Sequence, residues 1–129
     1  MIVYVFGNPD LPHDALPIRI LDRLRTRFPG VRFEEKDPNE EWDVPEHLVV
    51  LDTVKGIEGV MVFRGLESFT SSPRVSMHDF DALTQLRFLQ KLRKFKTVTV
   101  VGVSPELDER HAFHAVEEAL QRLIAPETG

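Results

Sequence analysis

Two uninterrupted apolar runs restrict this chain more than any other feature: Ile2 to Phe6, closed by Gly7-Asn8-Pro9, and Leu48 to Leu51, closed by Asp52. Successive strand side chains point to opposite faces, so an apolar run without alternation predicts a strand covered on both sides. The first run is expected near the centre of a sheet. From Asp14 onward the period changes. Ala15, Ile18, Leu21, Leu24 and Phe28 recur at helical spacing, Arg19, Arg23, Arg25 and Arg27 take other positions, and Pro29-Gly30 ends the segment. Pro17 is tolerated in a first turn, where its missing N–H would lack a partner anyway.

Val31 to Asp37 alternates weakly before Pro38 and predicts a more exposed strand, followed by an acidic loop carrying Trp42. The connection holding Lys55, Gly56 and Gly59 is too short for a crossover helix, so Gly59 to Phe63 is predicted to run antiparallel to the strand of Leu48 to Leu51. Leu66 to Val75, rich in Ser and Thr, is the most loop-like stretch and a candidate flap. Ser76 stands three residues before Asp79, and Phe80, Leu83, Leu86, Phe88, Leu89 and Leu92 predict a second helix with His78 in its opening turn. Thr97 to Val103 predicts the last strand, and Phe113, Val116, Leu120, Leu123 and Ile124 the last helix. Strands alternating with helices predict an α/β three-layer sandwich formed by one domain spanning residues 1–129.

The formal net charge of -5 and the dispersed basic residues argue against a nucleic-acid partner, whose phosphates require a basic footprint. Cysteine is absent, which removes disulfides, thiolate nucleophiles and thiolate metal sites and leaves carboxylate and imidazole as the strong ligands. Met1 to Phe6 lacks a basic lead and a small-residue cleavage site, so it is expected to be a strand and not a signal peptide. No apolar run approaches membrane-spanning length. A soluble cytoplasmic protein without membrane contact is the expectation.

Asp14, Asp52 and His78 each fall just past a strand or at a helix start, so all three are expected at one sheet edge. Asn8 to Asp14, Asp37 to Glu40, Thr53 and Ser104 to Asp108 should line that edge and make it acidic. Two carboxylates brought together repel unless a cation offsets the repulsion. Asp14, Asp52 and the imidazole of His78 would offer such a cation an oxygen, oxygen, nitrogen set with positions left for water or substrate, which suits zinc, nickel or iron without choosing among them. Each residue also has a plainer reading. Asp14 would serve as a helix N-cap, Asp52 would accept backbone hydrogen bonds, and His78 would sit neutral at a helix start. Substituting the three is expected to leave folding cooperative, because site residues of this kind are expected to be exposed.

Other residues carry less. His111 and His114 are three apart on one predicted helical face with no carboxylate partner evident in the sequence, which favours a solvated face over a metal pair. His13 abuts Asp14 as either a supporting group or ordinary turn polarity, and His47 opens a strand. Ser71-Ser72 lacks a nucleophile-elbow context, and Gly7-Asn8-Pro9 is not a dinucleotide fingerprint. Lys91, Arg93, Lys94 and Lys96 read as a solvated helix end.

Gly7-Asn8-Pro9 followed by Asp14, the strand His47 to Leu51 ending in Asp52, Ser76-Met77-His78 before a helix, and Val100 to Glu106 together resemble, in order and spacing, the [NiFe]-hydrogenase maturation endopeptidases. The resemblance covers nearly the whole chain. It implies a five-stranded, mostly parallel, twisted mixed sheet flanked by helices, and an endopeptidase that removes the C-terminal extension of a hydrogenase large-subunit precursor after nickel insertion. It further implies that Asp14, Asp52 and His78 are the catalytic and metal-contacting trio. The metal would be nickel carried by the substrate, with no tightly bound resting cofactor and with zinc or another divalent ion as a surrogate. Ala15-Leu16-Pro17 stands where that family has a glycine-rich turn, and Asp37-Pro38-Asn39 stands where it has Asp-Gly-Gly, so the chain resembles a divergent branch. A non-catalytic α/β module that binds a metal or a nickel-loaded protein is the alternative, and a metal-assisted hydrolase of small molecules is a third reading.

Overall fold

The computed structural model describes residues 1–37, 43–67 and 83–124. Its strands are β1 (Ile2–Val5), β2 (Arg32–Glu35), β3 (His47–Thr53), β4 (Val60–Arg64) and β5 (Thr97–Val103). Its α-helices are α1 (Leu16–Arg19), α2 (Leu21–Arg27), α3 (Leu83–Lys91) and α4 (Glu109–Ile124), and a 3-10 turn covers Pro12–Asp14. The five strands form one sheet in the order β2-β1-β3-β5-β4, parallel except for β4, which is antiparallel to β5.

Alternation along the buried strands builds two cores. Val3 and Val5 of β1, Val49 and Leu51 of β3, and Val101 and Val103 of β5 pack with Leu16, Ile20, Leu21 and Leu24 and with Ala112, Val116 and Leu120. Tyr4, Phe6, Leu48, Val50, Val98, Val100 and Phe63 pack on the other side with Leu86 and Leu89. Helices α1, α2 and α4 thus cover one face and α3 the other, which is the predicted three-layer sandwich. Arg27 Nε donates to Glu117 Oε2 at 2.8 Å and ties α2 to α4 at the surface.

Several expectations are corrected. β1 is interior, but the middle strand is β3. The helix predicted from Asp14 is broken into a 3-10 turn and two short helices at Ile20 (φ -92, ψ -3), a break that apolar spacing does not signal because Ile20 itself is fully buried. β4 does run opposite to β3, yet it pairs with β5. The short link from Val54 to Gly59 sets its direction only; β5 inserts between them and pairs with β3 over seven residues. Phe88, Leu92 and Ile124 are exposed: Phe88 falls off the stripe of Leu86 and Leu89, Leu92 lies past the end of α3, and Ile124 is the last residue of α4. The predicted flap does not begin at Leu66, which is buried in the core; from residue 68 onward the flap, with Trp42 and the start of the second helix at Ser76 to Phe80, lies outside the described residues.

Among the described residues, no helix is long and apolar enough to cross a membrane.

Candidate active site

In this strand order, β1 connects outward to β2 on one side, while β3 connects through β4 toward β5 on the other. The crevice beyond the carboxyl ends of β1 and β3 is therefore the topological switch point, where open α/β sheets bind ligands. Asp14, in the 3-10 turn, follows β1 and Asp52 lies at the end of the adjacent β3, so the fold brings these two predicted residues to the same edge.

Backbone bonds hold Asp14 there. The N–H of Asn8 donates to the Asp14 carbonyl (2.9 Å), that of Leu11 to Asn8 (3.1 Å) and that of Asp14 to Leu11 (2.9 Å). Asn8 Oδ1 also accepts from the Asp10 N–H at 3.0 Å, an Asx turn that bends the chain after β1. Gly7 permits the closure: a Cβ there would lie 2.9 Å from the Asp14 carbonyl oxygen and 3.0 Å from Ile18 Cγ1. Asp14 is half-buried. It is not the N-cap of α1, whose cap position is Ala15 with no side-chain hydrogen bond, so the capping reading is set aside.

Asp52 is buried, with 2% exposure, which corrects the expectation of an exposed site residue. β3 also continues one residue beyond it, to Thr53. Its Oδ1 accepts from the N–H of Thr53 at 2.8 Å, just past Val5↔Leu51, the last paired position between β1 and β3. The backbone-acceptor reading of Asp52 thus holds, and it is compatible with a site role because one oxygen of the carboxylate is oriented by this bond. By alternation with Leu48 and Val50, Asp52 belongs to the face covered by α3. His78 precedes α3 in sequence and lies outside the described residues. Among the described residues, no group of three or more His, Asp or Glu side chains is placed to hold a metal ion.

The remaining candidates resolve plainly. His111 and His114 do have carboxylate neighbours, contrary to the sequence reading. Asp108 Oδ2 is 2.6 Å from His111 Nδ1, and Glu117 Oε1 is 3.8 Å from His114 Nδ1. Asp108 also accepts from the His111 N–H at 2.8 Å, which makes it the cap of α4. These hydrogen bonds, the backbone one first, hold its carboxyl below the usual carboxylate range. Both histidines are exposed. His47 opens β3 and shares a 2.8 Å hydrogen bond with Thr97 Oγ1. Thr53, which the sequence places at the edge holding Asp14 and Asp52, is buried, and among the described residues its Oγ1 has no hydrogen-bond partner. A groove of about 420 Å³ lined by Val60, Val62, Arg64, Ala119, Arg122 and Leu123 lies between β4 and α4, separated from β1 by β3 and β5 and apart from Asp14 and Asp52.

The fold defines a mixed, mostly parallel α/β sandwich with two acidic residues at its switch point. Solved structures share it over nearly their whole length. The hydrogenase maturating endopeptidase HybD from E. coli superposes with a TM-score of 0.63 at 22% identity, over 96% of this chain and 90% of that one. An endopeptidase from Escherichia coli gives 0.56 at 23% identity, over 97% and 91%. A hydrogenase 2 maturation peptidase from a Thaumarchaeota archaeon gives 0.55 at 19% identity, over 98% and 99%. The chain therefore has the fold of the hydrogenase maturation endopeptidases, as its sequence resemblance implies. No protein-family profile matches the chain, and no curated protein matches it in sequence.

Proposed function

We propose that this protein is an endopeptidase that hydrolyses a peptide bond near the C-terminus of a [NiFe]-hydrogenase large-subunit precursor after nickel has been inserted. The observation that carries the reading is the placement of Asp14 after β1 and of Asp52 at the end of the adjacent parallel strand β3, at the switch point of a fold shared with three peptidases, two of them described as hydrogenase maturation enzymes. Asp14, Asp52 and His78 would contact the nickel carried by the substrate, and zinc or another divalent ion would stand in for it. Two carboxylates and an imidazole suit such a divalent ion, whose charge offsets the repulsion between the acids. The protein would then need no resident cofactor, and it would act in the cytoplasm.

The test is intact-mass analysis of a nickel-loaded precursor incubated with this protein, beside a nickel-free control. Loss of a C-terminal peptide from the loaded precursor alone is the expected result. Complex formation without cleavage would instead assign a binding module, and turnover of a small substrate without any precursor would assign a small-molecule hydrolase.

A further inference from the structure

Thr53 is the last residue of β3, one position past Asp52. By alternation with Val49 and Leu51 it belongs to the face covered by α1, the helix that begins two residues after Asp14. Its N–H is engaged by Asp52 Oδ1 at 2.8 Å. Among the described residues its hydroxyl has no partner: Thr53 is 7% exposed, and its Oγ1 is buried without a hydrogen bond. A buried hydroxyl without a partner costs free energy that a valine of the same shape would not. The strand context favours valine equally well, since Val54 and the paired Val103 are both fully buried beside it.

We infer that the Thr53 hydroxyl is a substrate-contacting group of the proposed site, donating a hydrogen bond to a backbone carbonyl of the polypeptide bound across the ends of β1 and β3. The inference rests on the function proposed above. Threonine has a donor and two acceptor lone pairs on a single rotor, and its χ1 wells exchange hydroxyl and methyl positions. The hydroxyl can thus swing onto an arriving carbonyl without movement of the strand. Its resting lack of a partner is then the counterpart of a bond made only in the complex, which turns binding into a specific gain.

The test uses the full chain with Thr53→Val and Thr53→Ser, read by denaturant unfolding and by cleavage of a nickel-loaded large-subunit precursor. Thr53→Val is expected to be at least as stable as the parent, with kcat/KM lowered roughly tenfold, the worth of one hydrogen bond. Thr53→Ser is expected to restore most of the loss. If the bond is already made with bound substrate, the change appears in KM; if it forms only in the transition state, it appears in kcat. A Thr53→Val protein less stable than the parent overturns the inference whatever its cleavage, because the hydroxyl would then be satisfied at rest. Equal cleavage by parent and valine variant overturns it alone, whereas a parent that leaves every loaded precursor intact overturns the proposed function and this inference together.

Discussion

Replacing Gly7 by alanine tests whether the loop bearing Asp14 is clamped against β1. The new Cβ would lie 2.9 Å from the Asp14 carbonyl oxygen and 3.0 Å from Ile18 Cγ1. Ile18 is half-buried and has rotamers to yield, but the carbonyl is backbone and is held by the Asn8 N–H at 2.9 Å. Either the loop stays and the contact remains overpacked, at about 1–3 kcal/mol, or it moves and gives up a hydrogen bond worth about 1 kcal/mol. We expect a loss of about 2 kcal/mol by urea denaturation, which at this chain length is a fall of roughly 6–10 °C in Tm. Gly30→Ala is the matched control, because nothing lies within 4 Å of a Cβ there and its φ is not left-handed. That variant should be neutral or stabilised by about 0.5 kcal/mol through the unfolded chain. Precursor cleavage by the Gly7 variant should fall by roughly tenfold, since small displacements of a positioned group are costly to catalysis. Equal stability of the Gly7 and Gly30 variants would refute the clamp, and with it the idea that the loop fixes Asp14 from the strand end.

Asp52→Asn keeps an oxygen able to accept from the Thr53 N–H, so its stability should stay within about 1 kcal/mol of the parent while cleavage of the loaded precursor is lost, as judged by intact mass. His78→Ala should lose cleavage in the same assay with an unchanged unfolding midpoint. Tyr4→Phe should cost about 1 kcal/mol, because the buried hydroxyl donates to the Asp43 carbonyl. Burial foremost, then Glu34 and Asp43, pushes the Tyr4 hydroxyl above its ordinary pKa of 10.0. The unfolded chain therefore loses this proton first; stability is complete below that value and declines as pH rises through the raised folded pKa. As Tyr4 is the sole tyrosine, tyrosinate absorbance reports it directly, and the phenylalanine variant should lack this part of the alkaline decline. Arg93 sits at φ 56 after α3, where the Lys94 N–H bonds to Leu89 and the Arg93 N–H to Gln90, a Schellman ending that favours glycine. Arg93→Gly should raise stability by about 0.5–1 kcal/mol in denaturant titrations.

The strands were legible where burial leaves a residue-by-residue trace. Thr97 to Val103 is recovered in full, and Ile2 to Phe6 differs from β1 only by its last residue, because strands covered on both faces admit little but apolar side chains. Pairing was less legible. The short link after β3 dictates the direction of β4, but which neighbour it joins depends on β5, nearly forty residues further on. In the candidate site, Asp52 stood out as an acid closing an apolar run and Asp14 as an acid opening a helical period. The burial of Asp52 did not, since it depends on what packs over a strand end. Asp108 escaped as the partner of His111 although it lies one helical turn before it, because a cap residue outside the periodic stripe looks like loop polarity. Thr53 was placed at the site's edge by sequence, but a β-branched residue prolonging a strand gives no sign that its hydroxyl lacks a partner among the described residues.

The absence of a glycine-rich turn after Asp14 changes where backbone freedom is needed without removing the need. Ala15 adopts φ -94, ψ -14, an ordinary right-handed conformation open to any residue, so no glycine is required at that position. Leu16 and Pro17 then start α1 at once, with proline's fixed φ suited to the first turn, and both side chains are buried. The close approach that remains is on the strand side, at Gly7, where the Asp14 carbonyl comes within reach of any added carbon. A turn built this way anchors the acid by packing on one side and by the Asn8 hydrogen bond on the other. It follows that Ala15→Gly should loosen the loop by about 1 kcal/mol through added unfolded-state freedom, and Leu16→Gly by about 3 kcal/mol or more because it also empties a core position. Restoring the flexible turn should thus weaken cleavage, whereas a site that depends on glycine flexibility at that turn would be improved by it.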